Sequence, residues 1–247
     1  RDVAPSRGLG DVYKRQVTRV NREIGGAYVF SCGKNMGVFK AVGYPEDVGE
    51  FYRLEEYEGY AWTAHGRYPT NTPGWWGGAH PFSILDYSVV HNGEISSYDA
   101  NRRFIEMYGY NCSLLTDTEV ITYIIDFLVR RKGLTLEEAA GVIAAPFWST
   151  IEQMPEAQRE RLAYLRETFA SLLITGPFSI LLGFTGGMMA LNDRLKLRSM
   201  VCAEKGEAVY FASEECAIRV MEPDVETLWA PRGGQAVVVR LNDGVTV

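Results

Sequence analysis

The chain reads as an α+β protein with two antiparallel sheets and helices outside them. Three observations predict this class. Short apolar runs with glycine-rich turns come first, helical periodicity with capping boxes follows, and five or so short strands close the sequence. Its 247 residues are 47% hydrophobic and 12% aromatic, enough for a sizeable core.

Residues 1–16 carry no apolar periodicity and no signal-peptide core. Asp11 to Gln16 looks like translated adapter sequence, a flexible tail being the alternative, so the single expected domain is 17–247. Ala27 to Ser31 and Gly37 to Val42 read as two strands joined by a turn at Gly33-Lys34-Asn35. Pro45 to Tyr57 is acidic and amphipathic, hence a helix. Gly59 to Ala64 reads as a strand, and Thr70 to Pro81, rich in Gly and Pro, as a loop that Trp75 and Trp76 pack down.

Tyr87 to Val90 is an apolar strand ending at Asn92-Gly93. Ser97 caps a helix to about Tyr108. Thr116-x-x-Glu119 is a capping box for a helix to Lys132, with Val120, Ile121, Ile124, Ile125 and Leu128 on one face and Gly133 at its end. Thr135-x-x-Glu138 is a second box, for a helix to Ala144, and Pro155 to Leu172 is a charged amphipathic helix. Strands are expected over Phe178 to Phe184, Met188 to Leu191, Ser199 to Ala203, Ala208 to Ser213 and Gln235 to Leu241.

Composition narrows the function. The formal charge is −6 and there is no basic block, which argues against a nucleic-acid partner. Cys32, Cys112, Cys202 and Cys216 lack CxxC spacing and read as thiols of a reducing cytoplasm. Thr168 to Leu191 is uncharged and long enough to span a bilayer, but Gly176-Pro177 and Gly186-Gly187 cut it into strand-sized pieces. His65, His80 and His91 lack zinc spacing, and no G-x-S-x-G is present, so neither a metal nor a serine triad is expected.

Three polar clusters look chemical. Arg67 offers a planar fork suited to a carboxylate. Asn92 beside the Gly93 backbone N–H can form a donor pair for an oxyanion, although Asn-Gly is also the strongest hairpin-turn signal. Asp117 opens a helix and could hold an ammonium, or could be an ordinary helix N-terminal acid. Together they would bind an α-amino acid head group and polarise a side-chain carbonyl.

This combination resembles the class II glutamine amidotransferases, the N-terminal-nucleophile glutaminases. The arginine motif lies at His65 to Thr70 with Ala79-His80-Pro81-Phe82, the H-N-G-x-I motif at His91 to Ile95, and [ST]-D-[TS]-E at Thr116 to Glu119. Gly66 departs from the usual His-Thr-Arg. Asn192-Asp193-Arg194 and Ser213-Glu214 match further strings. P-T-N-T-P-G-W-W-G-G-A-H-P-F and V-V-H-N-G-E-I-S-S-Y look most like the glutamate synthase type.

The resemblance implies the four-layer αββα sandwich of the N-terminal-nucleophile hydrolase fold. It implies hydrolysis of L-glutamine to glutamate and ammonia, with the ammonia passed to a synthase domain or subunit. Arg67 would clamp the α-carboxylate, and Asp117 the α-ammonium. Tyr68, Thr70 and His80 would line the pocket, Tyr68 fitting the core equally well and His80 a structural loop role. Asn92 and Gly93 would form the oxyanion hole. No cofactor is implied here, since flavin and iron–sulfur clusters would belong to the partner. The family nucleophile is an N-terminal cysteine. Residue 1 is Arg, so the cysteine and the first strand read as missing, and Cys32-Gly33 reads as a turn or buried thiol. The chain is then expected to be inactive as it stands. A non-catalytic glutamine- or glutamate-binding regulatory domain is the alternative.

Overall fold

A computed structural model describes residues 5–33, 35–68, 74–241 and 244–246. Among them the order begins α1 (Pro5–Glu23), α2 (Pro45–Tyr52), β1 (Phe82–Ile84), β2 (Tyr87–Gly93), α3 (Tyr98–Met107) and α4 (Asp117–Asp126). It continues α5 (Leu136–Ile143), α6 (Trp148–Ile151), α7 (Glu156–Thr168), β3 (Phe178–Phe184), β4 (Gly187–Asn192), β5 (Val201–Lys205) and β6 (Ala208–Ala212). The last elements are α8 (Glu215–Met221), β7 (Thr227–Trp229), β8 (Val237–Arg240) and β9 (Gly244–Thr246). The fold is α+β, with helices flanking two antiparallel sheets: one in the order β1-β2-β3-β4-β8-β9, the other β6-β5-β7.

The chain divides into two compact units. The first comprises residues 1–90, 105–133 and 182–185. Its core helix is α4, whose Val120, Ile121, Ile124 and Ile125 are all buried, as is Leu128 in the turn that follows. Thr116 Oγ1 caps it by accepting from the Glu119 N–H at 3.2 Å. The rest of the expected box does not form. The Glu119 carboxylate reaches outside the helix and accepts from the backbone N–H groups of Ser113 (3.0 Å) and Leu114 (2.8 Å). The last turn, Phe127–Arg131, widens to a π-helix rather than running on as α-helix.

Further sequence expectations change in this unit. Pro5–Glu23 is helical, where a flexible tail was expected. Ala27 to Ser31 is not a strand, because its backbone groups find other partners. The Asn21 side chain, on α1, clasps Val29 from both sides, accepting from its N–H at 2.7 Å and donating to its carbonyl at 3.0 Å. Gly37 to Val42 also lacks a ladder, and Tyr52 Oη donates to the Lys40 carbonyl at 2.8 Å. Gly59 to Ala64 forms no strand either.

The second unit comprises residues 91–104, 134–181 and 186–247. Thr135 and Glu138 make the complete capping box at the start of α5. The uncharged stretch after Thr168 becomes β3 and β4, and no helix among the described residues is long and apolar enough to cross a membrane. In β4 and β8, Gly187 pairs with Arg240 and Ala190 with Val237. Ala190, Met200, Cys202 and Val237 pack together as a core cluster. Asp193 organises the segment after β4: its carboxylate accepts from the backbone N–H groups of Leu195 (3.0 Å), Leu197 (2.9 Å), Arg198 (3.1 Å) and Phe178 (3.3 Å).

Candidate functional site

Arg67 lies on the extended segment before the Trp-Trp-Gly-Gly turn. One guanidinium N–H donates to the Gly78 carbonyl at 2.9 Å, which orients the fork. The glycine pair lets this turn pack closely on Arg67 and Trp75. A Cβ on Gly78 would lie 2.6 Å from Arg67 Nη1, and one on Gly77 would lie 2.4 Å from the Trp75 ring. Trp76 packs its ring on Tyr28 and Phe30, with centroids 5.3 and 5.5 Å away.

His80 and Asp117 are linked through a residue that sequence reading did not single out. His80 Nε2 sits 3.0 Å from Thr118 Oγ1, and Thr118 Oγ1 donates to Asp117 Oδ1 at 3.3 Å. The His65 ring stands edge-on to His80, with centroids 4.3 Å apart. Asp117 is the first residue of α4, where the aligned peptide dipoles favour a carboxylate. Tyr68 is 89% exposed, which rules out the core role. Thr70 lies outside the described residues.

Asn92 and Gly93 end β2 in the second unit. They are not a two-residue hairpin turn, since both belong to β2 and the next element is the helix α3. Gly93 has φ +150, and a Cβ there would lie 2.1 Å from the Pro177 carbonyl oxygen and 2.8 Å from Phe178 Cα. Only glycine fits so close a backbone approach. The next residue, Glu94, donates its N–H to that same Pro177 carbonyl at 3.0 Å. Asn92 Nδ2 donates to Ser213 Oγ at 3.2 Å.

None of the four cysteines is an evident nucleophile. Cys112 and Cys202 are buried, and burial pushes the Cys202 thiol up to about 12. Cys32 is half-buried; burial raises its thiol above the ordinary range, which disfavours the reactive thiolate. Cys216 is exposed and lies 3.4 Å from Glu214 Oε2.

The first unit also contains a cavity of about 60 Å³. Cys32, Lys40, Tyr28, Glu119 and Tyr123 line it. Lys40 is 4% exposed. Its ammonium donates to the Gly77 carbonyl at 3.3 Å and stands 4.1 Å over the Phe82 ring. Burial lowers this amine to about 8, opposed by the Glu119 carboxylate. Glu119 is in turn raised by its own burial, opposed by the backbone N–H groups it accepts from and by Tyr123. Sequence reading missed this pair, since nothing local to Lys40 signals its burial.

Residues 11–113 match the family model of class II glutamine amidotransferases. An uncharacterized protein of Archaeoglobus fulgidus is 50% identical over 232 residues, 94% of this chain and 61% of that protein. The amidophosphoribosyltransferase of Methanocaldococcus jannaschii is 24% identical over 81% of this chain and 37% of its own length. The glutamine amidotransferase-like protein GlxB of Rhizobium meliloti is 28% identical over 82% of this chain and 59% of its own length. The chain therefore spans between about a third and three-fifths of these relatives. Arg67 and Asn92-Gly93 fall inside the segment that matches the class II glutamine amidotransferase model, and Asp117 lies just beyond it.

Proposed function

We propose that the domain binds L-glutamine and hydrolyses it to glutamate and ammonia, with an N-terminal cysteine as the nucleophile. Arg67 holds the α-carboxylate through paired charge-assisted hydrogen bonds, and Asp117 holds the α-ammonium. A thiolate adds to the amide carbon, and the carbonyl oxygen takes up the electron pair. Asn92 Nδ2–H and the Gly93 N–H then stabilise that oxyanion. The C–N bond breaks as the leaving nitrogen takes a proton from the amine of the nucleophilic residue, and water releases glutamate. The observation that carries this reading is the close seat of Gly93 against Pro177. It accounts for a glycine after Asn92 at a place where both residues belong to β2 rather than to a hairpin turn.

The ammonia acceptor belongs to a partner. The Trp-Trp-Gly-Gly and His-Asn-Gly-Glu-Ile strings support a glutamate synthase-type domain or subunit that aminates 2-oxoglutarate, with its flavin and iron–sulfur clusters in that partner.

Binding tests the pocket apart from turnover. L-Glutamine should raise the melting temperature and D-glutamine should not. At a hundredfold excess over Kd the stabilisation is about 2.7 kcal/mol. Arg67→Ala should abolish the shift. Asn92→Ala should weaken it less, because an oxyanion hole favours charge that develops only in the transition state. A parent chain that melts cooperatively with no shift at saturating L-glutamine refutes the pocket, as does an Arg67→Ala variant that shifts as the parent does.

A further inference from the structure

The Asn92 amide is the end of a chain of hydrogen bonds inside the second unit. Ser179, on β3, donates its hydroxyl to the Ser199 carbonyl at 3.1 Å. Ser199, just before β5, donates its own hydroxyl to the Ser213 carbonyl at 2.7 Å. Ser213, just after β6, accepts from Asn92 Nδ2 at 3.2 Å through its hydroxyl oxygen. Ser179 is buried, so the chain starts in the core and finishes on the exposed Ser213.

Geometry makes this useful. The terminal torsion of asparagine is broad and roughly two-fold, so an untethered carboxamide presents its oxygen about as readily as its nitrogen. An oxygen turned toward a developing oxyanion would repel it. The carboxamide is planar with two N–H bonds about 120° apart. Fixing one of them on an acceptor fixes the direction of the other.

We propose that Ser213 is the positioning residue of Asn92: it holds one Nδ2–H so that the other faces the side-chain carbonyl oxygen of the bound glutamine. This rests on the oxyanion role given to Asn92 above. The Ser199 and Ser179 bonds tie Ser213 to two further segments of the unit, so the amide is aimed by three elements rather than by its own rotamer preference.

The test uses the full chain, ¹⁵N-labelled, with the Asn92 side-chain amide assigned by its loss in Asn92→Asp. In the parent, one of the two amide protons should exchange with water about tenfold more slowly than the other, the protection of one hydrogen bond. Equal rates overturn the proposal without any variant at Ser213. In Ser213→Ala the protection should vanish, and in Ser213→Thr, which keeps the hydroxyl, it should stay within about twofold of the parent. A Ser213→Ala variant that only melts earlier, with the Asn92 pair unmoved, shows a structural role and overturns the proposal.

Calorimetric titrations separate this from the wider reading. L-Glutamate places a charged oxygen where the oxyanion would form. Ser213→Ala should therefore lose about five- to tenfold in L-glutamate affinity and less in L-glutamine affinity. A parent that binds neither amino acid defeats the pocket itself, and the proposal with it. A parent that binds both, with a Ser213→Ala variant that binds both equally well, defeats the positioning role alone.

Discussion

Lys40 is the buried charge whose removal has the most readable consequence. Its amine is 4% exposed, between the Phe82 ring and the Gly77 carbonyl, and burial lowers it from 10.5 to about 8. Each pH unit corresponds to 1.36 kcal/mol, so holding the ammonium there at pH 7 costs about 3 kcal/mol relative to the unfolded chain. The sign follows from proton counting. Between pH 8 and 10.5 the unfolded chain binds the Lys40 proton and the folded chain has released it. Stability from this residue is therefore lowest below pH 8 and rises through that window.

Lys40→Met removes the titration and keeps the length of the side chain. The stability advantage of the variant over the parent, whatever its size at pH 7, should fall by about 1 kcal/mol by pH 9 and by about 3 kcal/mol by pH 10.5. The cavity also holds Glu119, Cys32, Tyr28 and Tyr123. Burial raises all four, so the thiol and the phenols lower stability as pH rises through their unfolded ranges. They are present in both proteins and largely cancel in the difference. The measurement is urea unfolding of parent and variant at pH 7, 8, 9, 10 and 10.5. Two stability curves that run parallel across that range would show that the Lys40 amine titrates as an ordinary surface lysine, and the cavity reading would be wrong.

Two further substitutions probe the second unit. Gly93→Ala forces a Cβ to within 2.1 Å of the Pro177 oxygen at a φ of +150, and should lower stability by at least about 3 kcal/mol, seen as a fall in melting temperature; an unchanged melt would show that β2 ends in a looser conformation. Asp193→Asn turns an amide toward the backbone donors of Phe178, Leu195, Leu197 and Arg198 and should lose about 2–4 kcal/mol at pH 7, again read by thermal melting, where an equal melting temperature would show that the carboxylate does not hold the segment.

The parts of this protein legible in its sequence are those decided locally. Thr135 and Glu138 form their box because both partners sit within one helical turn. The α4 stripe is legible because a single period aligns Val120, Ile121, Ile124 and Ile125 on one face. Illegibility begins where a distant group completes the structure. Ala27 to Ser31 has strand composition, but the Asn21 side chain meets both polar groups of Val29. Glu119 sits at the right spacing for a box, but the N–H groups of Ser113 and Leu114 take its carboxylate instead. The three-residue β7 and the short α8, with no capping side-chain bond, offer too little periodicity to read.

The candidate site divides the same way. Residue types were legible: a planar fork, an amide beside a glycine, an acid at a helix start. What orients each was not. Arg67 is steered by the Gly78 carbonyl, His80 and Asp117 share Thr118, and Asn92 leans on Ser213, 121 residues away in sequence. Gly93 shows why this matters chemically. The dipeptide Asn-Gly alone fits a hairpin turn as well as a donor pair. The turn is excluded because both residues lie in β2, and the glycine is accounted for by Pro177, whose carbonyl leaves no room for a Cβ at Gly93 and accepts the Glu94 N–H. With that carbonyl engaged by Glu94, the Gly93 peptide is anchored on its C-terminal side, and the Asn92 amide is anchored through Ser213. Two adjacent residues are thus held by two separate partners, the arrangement that the oxyanion role proposed for them would require.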